Sequence, residues 1–573
     1  MMQRVATERW VVREPHPAEE TLQSELGIQR LLAAALVDRG ITDPEGAGEF
    51  LNPSLDSMHD PRLLPNCEEA VRILMDAREK NQRVFVHGDY DVDGVTSTAI
   101  WARALRRLGF DVLPHVPHRI KHGFGVHEDA VFEAMQQGAK VLLTCDCGSS
   151  AIEAVKRAKQ FGMRVVLTDH HEFGSEVPAA DAIVNPHLPD NKYPFPHLSG
   201  AGVAFKVAQR VSEECGATAQ QFQRAFLDLA CVGTIADVVP LHGENRVIAH
   251  FGLKVLSRTK KVGLEALMRV AQIEPGAKAT SYDVAWRLGP RLNAAGRVDD
   301  AAIALQLMLT EDPEEARALA QRLDELNEER RSEEMRILEQ AEEAIQELNL
   351  ADEPLIMVFA EGWHRGVVGI VASRICEKYN RPALLAAVDP ETGLAHGSAR
   401  SPETFNLHEA LMLHRELFRS CGGHARAAGF SVTSDALEEV RSALVRHAGE
   451  VLRPEDLIPT RRAIAAVTPA EVVHRSFIEL ERLEPLGEAN PKPLFFMPRV
   501  RLLEVQPTSN AEHVRFRVEA PKPVYGIGFR SAQLFEGVRP GDTVDLLFRA
   551  AINRYNGNEY PQLILEGLRP AVE

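Results

Sequence analysis

Three aspartates stand at alternate positions in the run His87-Gly88-Asp89-Tyr90-Asp91-Val92-Asp93-Gly94, directly after the apolar stretch Val84-Phe85-Val86. Aspartate is a poor former of strands and helices, so this spacing asks for a chemical reason. A calcium loop also opens with alternating acids and a glycine, but it needs a bidentate glutamate about seven positions further on. Ile100, Trp101 and Ala102 stand there instead. Asp146 follows Val141-Leu142-Leu143 in the run Thr144-Cys145-Asp146-Cys147-Gly148. Its flanking thiols have no second pair nearby, so they read as small core residues rather than zinc ligands. Asp169, His170 and His171 follow Val165-Val166-Leu167. Asp237 sits alone inside the apolar run around Ala236 and Val238, where an acid needs a partner. Carboxylates with imidazole suit Mn²⁺ or Mg²⁺. The acids outnumber the needs of one ion. Two ions about 3.5–4 Å apart, sharing a carboxylate, would activate water and neutralise an in-line displacement at phosphorus.

Such residues must be carried to one place. From Val84 to about Asp237, short apolar runs alternate with amphipathic stretches such as Ala151 to Phe161. That alternation implies βαβ units and a parallel sheet, with ligands beyond the carboxyl ends of its strands. Residues 311–348 read as one long helix with Pro313 at its start. Leu319, Leu323, Leu326, Met335, Leu338, Ala341, Ile345 and Leu348 form its apolar stripe, and it could act as a rigid spacer. A second α/β pattern begins at Pro354 and runs to about 450, and short strand-like pieces after Leu457 suggest a small barrel. The expected division is 1–50 helical, 51–310 with the acids, 311–350 the connecting helix, 351–454 the second α/β unit and 455–573 the barrel. A chain cut near 455 is expected to keep its chemistry while losing the contacts that the barrel supplies.

At 573 residues the chain exceeds a single core. No apolar stretch is long enough to span a bilayer, the first residues lack an apolar signal core, and seven cysteines show no framework spacing. A cytoplasmic setting and no membrane are expected. The net charge of −17 argues against nucleic acid when taken globally. However, residues 311–350 hold fourteen acids against five arginines, a net −9. Residues 491–573 carry eleven basic residues against nine acids, a net +2. Arg287, Arg291, Asn293 and Arg297 surround Gly289, Pro290 and Gly296 and suit phosphate oxygens, or else ion pairs with the acidic helix. His424 and Arg426 lie in a glycine turn that could also hold phosphate. Basic and aromatic residues alternate around Arg515–Arg517 and Tyr525–Arg530, as suits single strands.

The runs HGDYDVDGVTS, TCDCG, TDHH and TIADVVPL together resemble the four motifs of the DHH phosphoesterase superfamily. RLGPRLNAAGR (287–297), EGWHRGVVGIVASR (361–374), HGSAR (396–400) and CGGHARAAG (421–429) resemble the RecJ family of bacterial single-strand DNA exonucleases within it. The resemblance implies a multidomain α/β fold: a parallel-sheet DHH domain, a long linker helix, a second α/β DHH-associated domain and a C-terminal OB-fold-like β-barrel. It implies a 5′→3′ exonuclease specific for single-stranded DNA in recombination and repair, using two Mn²⁺ or Mg²⁺ ions. A DHH phosphodiesterase of short oligonucleotides or cyclic dinucleotides is the alternative. Asp91, Asp93, Asp146, His170 and Asp237 match metal-ligand positions, with Asp146 as the bridge and Asp89 as a further motif acid. His171 would face the scissile phosphate. Asp169 and His87 would orient their neighbours, although some relatives have a ligand histidine at the position of His87. Arg119, Ser398 and Arg400 resemble the anchor for the strand's terminal phosphate; Arg287, Arg291, Asn293 and His424 would line the substrate's path. Single-strand-binding protein and a RecQ-like helicase are the partners that the resemblance suggests.

Overall fold

The computed structural model describes residues 8–119, 121–189, 191–274 and 276–571. Five strands form an all-parallel sheet in the spatial order Val112–His115, Arg83–His87, Ala139–Cys145, Arg164–Thr168, Ala182–Val184. Their side chains alternate between two packed faces, as period-two geometry requires. Val84, Val86, Val141, Leu143 and Val166 face one core, while Phe85, Leu142, Val165 and Leu167 face another. Helices cover both sides, which is why these strands read as continuous apolar runs. The strand order reverses between Arg83–His87 and Ala139–Cys145, and a crevice opens there at the strands' carboxyl ends.

The helix Val92–Arg107 follows the first of these two strands and is capped by Asp91, whose side chain accepts from the Gly94 N–H at 3.0 Å. Gly94 is required: a Cβ there would lie 2.4 Å from the Asp89 carbonyl oxygen. Helices Gly200–Glu214 and Ala219–Ala236 pack on this helix and bring their ends to the crevice.

The long helix spans Pro313–Glu347, with Asp312 as its cap and proline in the first turn. At 1.5 Å per residue it is roughly 52 Å long. Ala316, Ala320, Leu323 and Leu326 join the core of the first α/β unit, and Ile337, Ala341 and Ile345 that of the second. The expected stripe is buried at Leu323, Leu326, Ala341 and Ile345 and half-buried at Leu319 and Leu338, whereas Met335 and Leu348 face solvent and Ile337 is buried instead. That unit has a mixed sheet in the order Ser420–Gly423, Ala427–Thr433, Leu394–Arg400, Ala383–Asp389, Ile356–Glu361; only the last pair is parallel.

Strands Phe495–Pro507, Val514–Val518, Val524–Gly528, Asn558–Pro570 and Thr543–Tyr555 close into a barrel, since the first and last also pair. The helices within 18–51 are not a separate body. Leu22, Leu31, Leu32, Leu36 and Phe50 share one core with Phe477, Phe495, Phe516 and Phe548. Arg9–Val12 pairs in parallel with Thr460–Ala463. The buried Arg246 guanidinium lies over the Phe50 ring and donates to the carbonyls of Phe50, Arg482, Leu483 and Glu484 at 2.8–3.1 Å. It ties this composite body to the first α/β unit. Among the described residues no helix is long and apolar enough to cross a membrane.

A cut after residue 454 therefore strips the cover from Leu22, Leu31, Leu32, Leu36 and Phe50, each worth about 1.5–3 kcal/mol of burial. This differs from the simple expectation of a detachable barrel. The shortened chain is expected to aggregate in size-exclusion chromatography, and removal of residues 1–52 as well is expected to restore solubility. A soluble, monomeric single-cut chain would show that the shared core is dispensable.

Candidate metal centre

Three neighbouring strand ends deliver acids and imidazoles to the crevice. Asp89 and Asp91 follow Arg83–His87, Asp146 follows Ala139–Cys145, and His170 and His171 follow Arg164–Thr168. Asp237 arrives at the end of the helix Ala219–Ala236. His170 Nε2 lies 3.1 Å from Asp146 Oδ1, 3.6 Å from Asp237 Oδ2 and 3.9 Å from Asp93 Oδ2. Two sets of three ligand atoms come together: Asp146, His170 and His171, and Asp93, His170 and Asp237. Asp146 Oδ1, His170 Nε2, Asp237 Oδ2 and Asp89 Oδ1 are buried without a hydrogen-bond partner. Buried polar atoms are normally satisfied, so four orphans around one crevice, with this donor chemistry, fit divalent cations.

The backbone is shaped for this arrangement. Asp146 adopts φ 60° and Val238, next to Asp237, φ 63°. A β-branched residue in the left-handed region is strained, and such strain of about 1–3 kcal/mol gathers at functional sites. A Cβ at Gly200 would fall 2.5 Å from Asp146 Oδ1. That close approach lets the N–H groups of Gly200 and Ala201 donate to Asp93 at 2.6 and 2.9 Å, at a helix N-terminus that favours negative charge.

Burial and neighbouring acids raise the carboxyls. Burial and Asp91 push Asp93 up to about 7. Burial and Asp93 lift Asp146 and Asp237 well above the ordinary carboxylate value, and burial and Asp91 do the same to Asp89. Burial, then the charge of His171, pushes His170 down to about 3, leaving a neutral imidazole fit to ligate. Asp169 behaves differently. Burial opposes its ionisation, but the hydrogen bond and the charge of His171 hold it below the usual range. His171 Nδ1 is 2.8 Å from Asp169 Oδ1 and must carry the proton, since an ionised carboxylate only accepts. Burial lowers His171, but Asp169 more than restores it, so its proton affinity is raised. Asp169 also accepts from the Ser149 backbone N–H, and Asn185 donates to Ser149 and to the His171 carbonyl.

His87 lies behind the crevice. It is fully buried, with Nδ1 3.0 Å from His115 Nδ1 and Nε2 3.3 Å from the Gly125 carbonyl, and it belongs to neither ligand set. Arg119 stacks over the Tyr90 ring at 4.7 Å. Burial first, then Arg119, Arg330 and Arg400, push the Arg297 guanidinium down to about 9. Burial and then Arg119 lower Arg400. A Cβ on Gly369 would sit 3.0 Å from Ser398 Oγ and 3.5 Å from Arg400. The two α/β units thus bring Arg119, Arg297, Ser398 and Arg400 toward one cleft, and among the described residues no carboxylate pairs with these three arginines. Arg287 donates to Asp283 at 2.9 Å and to the Gln272 carbonyl, and Arg291 pairs with Asp324 of the long helix at 2.8 Å. In this structure their guanidiniums tie helices together. Asn293 lines a cleft beside Asp237's loop, and His424 is exposed in the turn between Gly423 and Ala427. The N–H pair of Gly200 and Ala201 has no signature in side-chain type; the small residues after Ser199 were the only hint.

A parallel-sheet domain whose strand ends converge on acids and histidines defines a DHH phosphoesterase, and the comparisons agree. Residues 83–234 match the DHH family N-terminal domain, 352–450 the DHHA1 domain and 465–567 the RecJ OB domain. The single-stranded-DNA-specific exonuclease RecJ of Bacillus subtilis is 36% identical over 97% of this chain and 70% of its own length. That of Escherichia coli is 33% identical over 96% and 98%. The structure of RecJ from Thermus thermophilus in complex with Mn²⁺ superposes with a TM-score of 0.84 at 31% identity, covering 99% of this chain and 80% of that one. The chain belongs to the RecJ family of single-stranded-DNA-specific exonucleases.

Without a cation, the raised carboxyls of Asp93, Asp146 and Asp237 hold protons that the unfolded chain releases above about pH 4. Their contribution to stability falls as pH rises from there through the raised values. A cation displaces those protons and relieves the repulsion. Mn²⁺ is therefore expected to raise Tm over a chelator control by more at pH 8 than at pH 6. Equal increments in a calorimetric scan would contradict this coupling.

Proposed function

We propose that this chain hydrolyses single-stranded DNA from its 5′ end by two-metal phosphodiester hydrolysis, in recombination and repair. The observation that carries the reading is the set of partnerless buried atoms on Asp146, His170 and Asp237 around one crevice. Asp91, Asp93, Asp146, His170 and Asp237 would hold two Mn²⁺ or Mg²⁺ ions, with Asp146 shared and Asp89 supporting them. When bound, these ions supply Lewis acidity toward water and the phosphate oxygens. His171, oriented through Nδ1 by Asp169, presents its other nitrogen to a phosphate oxygen. Arg119, Ser398 and Arg400 hold the terminal phosphate across the cleft, and the barrel binds the strand beyond. The direction of cleavage, a cytoplasmic setting, single-strand-binding protein and a RecQ-like helicase as partners follow from the family alone. Hydrolysis of short oligonucleotides or cyclic dinucleotides is less well supported, because a spacer helix and a barrel have no part in it.

Release of mononucleotides from end-labelled single- and double-stranded DNA tests the reading. Release from single strands, dependent on Mn²⁺ or Mg²⁺ and stopped by chelator, is expected; turnover of dinucleotides alone would favour the alternative. Asp146→Ala is expected to abolish cleavage while keeping single-strand binding, since phosphate contacts elsewhere hold DNA. Residual activity above about a tenth of wild type would remove Asp146 from its bridging role. The double change Arg119→Ala, Arg400→Ala removes charged hydrogen bonds worth roughly 1.5–3 kcal/mol each. It should slow cleavage of 5′-phosphorylated strands on the order of a hundredfold or more, and that of 5′-hydroxyl strands much less. Equal losses on both would contradict an end-sensing pocket.

A further inference from the structure

We propose that Trp286 and Tyr282 form a stacking platform for one unpaired base of the retained strand, on the 3′ side of the scissile bond. This deepens the reading of the chain as a single-strand exonuclease and rests on it. Trp286 is 68% exposed and Tyr282 64% exposed, on a chain whose other tryptophans are sheltered. Trp101 and Trp363 are buried, and Trp10 is half-buried under the Arg569 guanidinium. The two exposed rings stand four residues apart, 6.5 Å between centroids and 30° between planes. The turn that carries Trp286, Val284–Leu288, is π-helical. Such widened turns are frequent at functional sites.

The platform adjoins the metal centre. Val238, held at φ 63° beside Asp237, is itself 62% exposed and shares a cleft of about 280 Å³ with Trp286, Pro290, Asn293, Arg297 and Arg330. Arg330 comes from the long helix; two of its nitrogens donate to Glu334 and Asn327, while its Nε is buried without a partner. The cleft therefore combines an aromatic face, an amide and two guanidiniums. These are groups that take bases by stacking and phosphates by charge.

The helix axis sets which side of the cut this is. Along Ser281–Val298, a Cβ on Gly289 would lie 3.7 Å from Ala236, next to Asp237. A Cβ on Gly296 would lie 2.8 Å from the Tyr90 carbonyl oxygen, beside Arg119. The terminal-phosphate cluster is thus at one end of the segment, the metal-bearing loop near its middle and the aromatic pair at the other end. Trp286 and Arg297 are roughly 16 Å apart along the axis. A strand anchored at Arg119 and Arg400 and cut at the metals passes the aromatic pair next.

Equilibrium binding of the full chain to a 5′-phosphorylated single strand, with chelator present to prevent cleavage, tests the platform. Wild-type tryptophan fluorescence should be quenched on binding, and the quench should be lost in Trp286→Phe, which still binds. Trp286→Ala should weaken binding about tenfold, roughly 1.4 kcal/mol, within the range for one stacked base. Strands with a single abasic site, moved inward from the second nucleotide, supply the control. At one position wild type should lose the same factor and Trp286→Ala should lose nothing further. An equal loss for Trp286→Ala on every abasic strand, or unchanged wild-type fluorescence on binding, would overturn the platform and leave these rings to a protein partner. A wild-type chain that neither binds nor cuts single strands would overturn the parent reading, and the platform with it.

Discussion

The crowding of carboxyls into one crevice is the constraint from which the rest follows. Asp89, Asp93 and Asp146 are all but inaccessible, and Asp237 is half-buried with its Oδ2 turned inward. An ionised carboxylate in such a place is costly unless paired or hydrogen-bonded. The protein answers part of the demand itself. Two backbone N–H groups at a helix start hold Asp93, and an imidazole with a backbone N–H holds Asp169. The answer stops short at Asp146, His170 and Asp237, whose inward atoms have no partner. Protons satisfy them at low pH, and divalent cations do so at higher pH. The left-handed backbone at Asp146 and Val238 is the conformational cost of aiming these groups inward.

The remote modules are joined to that crevice more tightly than a string of domains implies. The Leu241 N–H, four residues after Asp237, donates to the Glu488 carbonyl at 2.8 Å. A Cβ on Gly487 would reach the Leu241 side chain. The segment that leads into the barrel thus braces the loop that carries Asp237. Arg246 and the shared core with residues 22–51 hold that segment in turn. The grip on the strand and the geometry of the cut are therefore set by one connected body, in which the barrel is a structural member as well as a binding surface.

The acids were legible because an apolar run ending in Asp or His is locally inconsistent unless the residue has a chemical task. The parallel sheet was legible from the same runs, and the long helix from its three-and-four spacing. What stayed hidden depends on partners far away in sequence. The partner of Leu32 or Phe50 is a strand more than four hundred residues on, which no local pattern announces. Arg291 and Arg297 sit on the same helix with the same chemistry, yet one meets Asp324 and the other, among the described residues, pairs with no acid. Only the relative placement of the two helices decides between ion pair and anion site. His87, adjacent to a motif of ligands, packs against His115 because its strand turns it toward the neighbouring strand and away from the crevice.

The same segregation explains how a chain of net charge −17 can serve a polyanion. The acids are concentrated on the long helix, where they are used up locally. Asp324 holds Arg291, Glu334 holds Arg330 and Arg374, and Glu342 holds Lys378. These pairs fasten the spacer to both α/β units. Arg119, Arg297 and Arg400 have no such carboxylate partner among the described residues. Arg119, Arg297 and Arg400 lie close enough for each to disfavour the charge of the next, an arrangement that is unfavourable without an anion. A phosphate entering the cleft relieves that repulsion, just as a cation relieves the repulsion of the carboxyls beside it. The two half-sites carry opposite and uncompensated charge a short distance apart, and a phosphodiester strand with its metal ions is a ligand that neutralises both at once.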